Sequence, residues 1–199
     1  MRVLGSVVAL ALLWATSAGA TNDRVTVVLH AVETDFGPCD LADPCVAGNS
    51  NVEIAHQGQV HAIYMILRNY DSISAFHCAF DWDSGWHFQY GLWNCFPGFY
   101  SCEVTPNGPG QVLECGIDCV QGGSIIAGRL AMIPTSGCLS IIDSQFPTEV
   151  FDCQGTYEGT RVADANRGRV CVGPGGYDAC NSVVPVENQT WGRIKGQYR

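Results

Sequence analysis

Carboxylates, histidines and cysteines are the residues here with the chemistry to act, and their spacing decides what each set could do. A hydrolase needs a nucleophile beside a base, or two carboxyls roughly 5 to 9.5 Å apart across a cleft. The sequence holds no G-x-S-x-G and no H-E-x-x-H string. Asp81 and Asp83 come nearest to a carboxyl pair, since strand rise would set them about 7 Å apart on one face. They flank Ser84-Gly85, and the plainer reading is a solvated pair beside a turn. Glu33, Asp35, Asp40 and Asp43 fall in one short loop and could converge oxygen ligands on calcium, although their spacing is not that of an EF-hand. A merely solvated acidic loop is the simpler account, so no metal site is assigned. The histidines at 30, 56, 61, 77 and 87 make no zinc signature, and Cys115 and Cys119 lack the second pair that a zinc site requires. No catalytic residue and no cofactor is implied, and an enzyme ranks third among the readings below.

The cysteines find a better use as cross-links. Met1-Arg2, an apolar run from Val3 to Trp14 and the small residues Ala18-Gly19-Ala20 form the charged start, apolar middle and cleavage site of a secretory signal peptide over residues 1–20. The run is about a dozen residues, shorter than the roughly 18 to 20 that a membrane span needs, and no later stretch reaches that length. All 11 cysteines follow the leader, and in an exported chain they are read first as disulfides. Cys39–Cys45, Cys95–Cys102 and Cys171–Cys180 each bracket a short turn-forming loop, which predicts local bridges, with Cys138–Cys153 as a weaker fourth. Eleven is odd, so at least one cysteine is free, modified or joined to another molecule.

Without the leader, nine basic residues face 19 acidic ones, a formal net charge of −10. A phosphate backbone needs a basic face, so nucleic acid is not an expected partner. Aromatic residues offer a different surface. Trp93, Phe96, Phe99 and Tyr100 crowd a stretch bracketed by cysteines and without strand period, which makes them the candidate ligand-binding residues.

The elements that must carry these residues read as short strands punctuated by glycine and proline, the pattern of an all-β sandwich or barrel. Arg24 to Val32 and His61 to Asn69 are two such strands; in the second, Ile63, Met65 and Leu67 share one face and Tyr64, Ile66 and Arg68 the other. From Ile73 to Asp83, Phe76, Cys78, Phe80 and Trp82 alternate with Ala75, His77, Ala79 and Asp81, which assigns the first set to the core. Asp83-Ser84-Gly85 then reads as a hairpin turn or a bulge. Further strands are expected near 110–115, 124–133, 138–143 and 168–172. After Pro185 the pattern changes: Trp191, Ile194 and Tyr198 recur at helical spacing behind Thr190, a competent cap, which predicts a short C-terminal helix. That helix would dock on the domain, or serve as a tail that binds an envelope partner.

The segments HAIYMILRNYDSISAFHCAFDWD (61–83) and GGSIIAGRLAMI (122–133) resemble those of secreted bacterial domains of cohesin-like character. The ending PVENQTWGRIKGQYR (185–199) is similar to the ends of other exported bacterial proteins. The resemblance implies a two-sheet, jelly-roll-like sandwich of roughly nine strands over residues 21–185, here stapled by disulfides and followed by the helical segment 186–199. It points to a secreted, non-enzymatic binding or adhesion module, extracellular or in the cell envelope, that recognises a surface protein or a glycan. The rival reading is a structural subunit of an extracellular layer or filament, joined through the odd cysteine into disulfide-linked oligomers.

Overall fold

A computed structural model of the chain describes residues 22–34, 41, 43–48, 50–92, 95, 99–104, 110–154 and 159–181. The leader and the C-terminal helical segment lie outside the described residues. Twelve strands form within them, three more than the sandwich expectation. Among them are β3 (His61–Arg68), β4 (Ser72–Trp82), β5 (Trp86–Leu92), β7 (Gln111–Gln121) and β8 (Ser124–Pro134). With β1 (Thr26–Glu33), β6 (Phe99–Val104) and β9 (Cys138–Ile142) they build the sandwich. Four short strands extend it: β2 (Glu53–Ile54), β10 (Glu149–Phe151), β11 (Thr160–Arg161) and β12 (Arg169–Val172).

The strands make two sheets. One has four, in the order β1-β3-β8-β5; the other has eight, with β11-β10-β4-β9-β12-β2 in line and β7 and β6 added beside β4. Period-two alternation explains how they face each other. Phe76, Cys78 and Phe80 of β4, Leu113, Cys115 and Ile117 of β7, and Leu139 and Ile141 of β9 point inward. Ile63, Met65 and Leu67 of β3 and Leu130 and Met132 of β8 meet them from the other sheet. Burying each such side chain contributes about 1.5 to 3 kcal/mol.

Asp83-Ser84-Gly85 is a turn, but not that of a hairpin. It carries the chain from β4 in the larger sheet to β5 in the smaller one, with the Trp86 amide donating to the Asp83 carbonyl at 2.9 Å. The Asp83 carboxylate accepts from the Cys138 amide at 2.6 Å, so this acid fastens a turn, as its position beside Ser84-Gly85 suggested. Gly137 opposite has φ +75°, and any Cβ there would run into the Asp83 side chain.

The disulfides correct the local scheme. Cys45 pairs with Cys180, Cys102 with Cys115, Cys119 with Cys153 and Cys138 with Cys171. Cys95 is also disulfide-bonded, though not to Cys102, and Cys39 lies outside the described residues. Strand register rather than loop length selects the partners: Cys102 stands opposite Cys115 between β6 and β7, and Cys138 opposite Cys171 between β9 and β12. Cys45 and Cys180, 135 residues apart, meet because two chain segments cross the same sheet. The free cysteine among the described residues is Cys78, whose thiol burial pushes up to about 12. It faces the core 3.8 Å from the Met65 sulfur, so it offers no thiol for joining molecules.

Candidate functional site

The two sheets differ on their outer faces. On the four-stranded sheet, Val28, Ala62, Tyr64 and Ile66 point outward and are nevertheless buried. They lie under a roof made of Leu41, the short helix α1 (Pro44–Ala47) and the 3-10 turn η2 (Ala179–Asn181), which the Cys45–Cys180 bridge ties together. Asp43 caps α1 by accepting from the Cys45 amide at 2.9 Å and holds Arg68 of β3 at 2.9 Å. His30, also beneath the roof, accepts the Asn51 amide on Nδ1 at 2.9 Å. Its pKa is lowered by burial, with Asp178 acting in the opposite direction.

The larger sheet has no such cover among the described residues. Its outer face shows rows set by register. Across one run Glu114 of β7, His77 of β4, Glu149 of β10 and Arg161 of β11. Val112, Ala79 and Ile142 flank it on one side, and Gly116, Ala75 and Phe151 on the other. His77 is the centre of this face. Its ring meets Phe146 edge-on at 6.0 Å and Phe151 at 5.7 Å, while its Nε2 is 3.8 Å from the Glu149 carboxylate, too far for a hydrogen bond. That nitrogen is enclosed and makes no hydrogen bond. Phe146 is 54% exposed beside His77. Such a surface, an aromatic anchor among small apolar residues with a ring of charge, can hold a protein partner by desolvation and orient it by the charges.

The sequence candidates fall elsewhere. Trp93 and Phe96 lie outside the described residues. Phe99 and Tyr100 open β6, an edge strand, with Phe99 opposite Ile117 in register, rather than belonging to a loop. Of the four loop acids, Glu33 engages His56 at 2.6 Å and Asp43 engages Arg68, whereas Asp35 and Asp40 lie outside the described residues. His77 was legible as the polar-side residue of the β4 alternation. Its partners were not, because β10 is three residues long and Phe146 belongs to no strand.

By sequence, the chain matches no family model and no curated protein. By structure, it is similar to a non-cellulosomal cohesin from the archaeon Archaeoglobus fulgidus, with a TM-score of 0.51 at 13% identity, covering 75% of this chain and 91% of that one. It is also similar to a cohesin module from a family 33 glycoside hydrolase of Clostridium perfringens, with a TM-score of 0.47 at 10% identity, covering 74% and 98% of the two chains. The protein is a disulfide-stapled β-sandwich with a cohesin-like fold.

Proposed function

We propose that this protein is a secreted, non-enzymatic binding module that takes a protein partner on the outer face of its larger sheet. The observation that carries the reading is the contrast between the sheets. The chain seals the apolar outer face of one with its own disulfide-tied roof, whereas on the other, among the described residues, Phe146 and Glu114 stand exposed beside the partly buried His77, Glu149 and Phe151. The cohesin-like fold supports a protein partner, and the four described disulfides support an oxidising destination. The buried position of Cys78 disfavours the rival filament subunit linked through an odd thiol.

The test is selection of displayed protein fragments on the full, oxidised chain, followed by mapping of the bound face by hydrogen exchange. Phe146→Ala combined with Phe151→Ala should weaken the selected binders by about tenfold or more, as for a central anchor. Val46→Asp on the roof, at a residue 79% exposed, should leave them unchanged. Binders that protect the roof, or that ignore the phenylalanine changes, would overturn the reading.

A further inference from the structure

A cleft of about 610 Å³ opens along β9 and β12, beside the 3-10 turn η1 (Asp164–Asn166). Its size is that of an ordinary small-ligand site. Asp143, Asp164, Arg167, Arg169 and Tyr177 line it. The Arg167 side chain is only 6% exposed. Its Nε and Nη2 donate to the Val162 carbonyl at 3.0 and 2.6 Å, Nη2 also reaches Asp143 at 2.8 Å, and Nη1 reaches Asp164 at 3.1 Å. Asp143 in turn accepts from the Thr148 amide and from Arg161. Burial alone would raise its pKa, but the Thr148 amide and the two arginines outweigh that and hold the carboxyl below its usual range.

The rim is held by its own hydrogen bonds. The Tyr177 hydroxyl donates to the Ala165 carbonyl at 2.8 Å, and Tyr177 exchanges backbone bonds with Arg169 at 2.7 and 3.1 Å. Arg169 spends its Nε on the Gly175 carbonyl at 3.0 Å, which leaves its two Nη groups as donors. The Asp164 side chain, 86% exposed, supplies an acceptor. Arg167 and Tyr177, held in this way, are preorganised, so a ligand would not have to bear the entropy of ordering them.

Charge narrows the ligand class. Two arginines balance two aspartates in the lining, on a chain of net charge −9. An anion would find Arg167 already compensated by Asp143 and Asp164, with only Arg169, which makes no ion pair among the described residues, to meet it against a net-negative body. A cation would find Asp143 held by two arginines and Asp164 by one. What remains is an uncharged ligand with many hydroxyls, able to give and accept hydrogen bonds and to lay an apolar ring face on tyrosine. We propose that this cleft binds a neutral sugar ring, as a site that adjoins the protein-binding face at Ile142 and Arg161. Tyr177 supplies the platform, while Arg169 and Asp164 supply donors and acceptor.

The test is titration of the full, oxidised chain with neutral gluco-, manno-, xylo- and chito-oligosaccharides, with uronic-acid oligomers in parallel, read by backbone chemical shifts. At least one neutral oligosaccharide should bind and shift Arg169, Tyr177 and Asp164. Tyr177→Ala should weaken that binding about tenfold, while Tyr177→Phe, which keeps the ring, retains it. Asp164→Asn and Arg169→Gln should weaken it several-fold without unfolding the chain, and Phe146→Ala should not affect it. The proposal is overturned if no neutral sugar shifts these residues up to about 10 mM, if uronic acids bind in preference, or if binding survives Tyr177→Ala.

Discussion

β3 and β4 lie at the centres of the two sheets and are both long and apolar, yet they meet their surroundings differently. Every residue of β3 but Arg68 is buried, because its inner face meets the sandwich core and its outer face meets the roof. β4 keeps the alternation of a strand with one solvated face: Phe76, Cys78 and Phe80 are buried, while His77 is partly buried and Asp81 exposed. Ala79 is buried although it belongs to the outer set, since a methyl group is covered by its cross-strand neighbours Val112 and Ile142. A sheet face with no water on it needs a cover. The chain supplies one for β3 and none, among the described residues, for β4. Stability should therefore be concentrated on the roofed side and recognition on the open side.

Breaking the roof should give the largest effect. Replacing both Cys45 and Cys180 by serine opens a loop of 135 residues, worth about 4 to 5 kcal/mol on a chain-entropy account. It also frees α1 and η2 from the apolar face. Urea denaturation should show the loss, and a dye that binds apolar surface should light up before global unfolding. If the double variant keeps its midpoint and excludes the dye, the roof is ornamental and the contrast fails. Tyr64→Ala, beneath the roof at 1% exposure, should cost about 3 to 4 kcal/mol through the cavity that it leaves. A cost below about 1 kcal/mol would mean that the roof collapses freely onto β3, and that its packing is not specific.

The same contrast marks what could be read from sequence. The alternation from Ile73 to Asp83 identifies the inner face of β4, and the Ile63, Met65, Leu67 set identifies the inner face of β3. Burial of the opposite set, Tyr64 and Ile66, depends on segments more than a hundred residues apart that meet at one bridge, and no local pattern encodes that meeting. The disulfide partners were missed for a related reason. Proline- and glycine-containing loops suggest closure, but Cys138 and Cys171 are joined by register across neighbouring strands. The open face was half legible, through His77 on the polar side of β4. Its completion by Glu149 and Phe151 needed the pairing of β10 to β4.

A smaller effect follows from His30. Burial lowers its pKa from 6.5, and its Nδ1 accepts a backbone N–H, a bond that only the neutral ring can make. The folded chain thus resists protonation more than the unfolded chain does. The stability from neutral His30 is fully present above about pH 6.5 and drains away as pH falls through the lower folded value. Melting temperature measured from pH 7.5 to 5 should fall, and the fall should shrink in His30→Gln. An unchanged pH slope in the variant would assign the loss to other groups.

The smallest effect on stability belongs to the open face. Phe146 is exposed, lies outside every strand and touches His77 only edge-on. Its ring is more than half exposed, so removing it gives up little buried area. Phe146→Ala should therefore change unfolding free energy by no more than about 0.5 kcal/mol, against several for Tyr64→Ala. The matched pair sharpens the comparison, because both substitutions delete an aromatic ring from the outer face of a central sheet region and only one of those faces is covered. Equal losses in the two variants would show that Phe146 is a packing residue closing over His77. A neutral Phe146→Ala leaves the ring with no structural duty, as a residue kept on the surface for a partner should be.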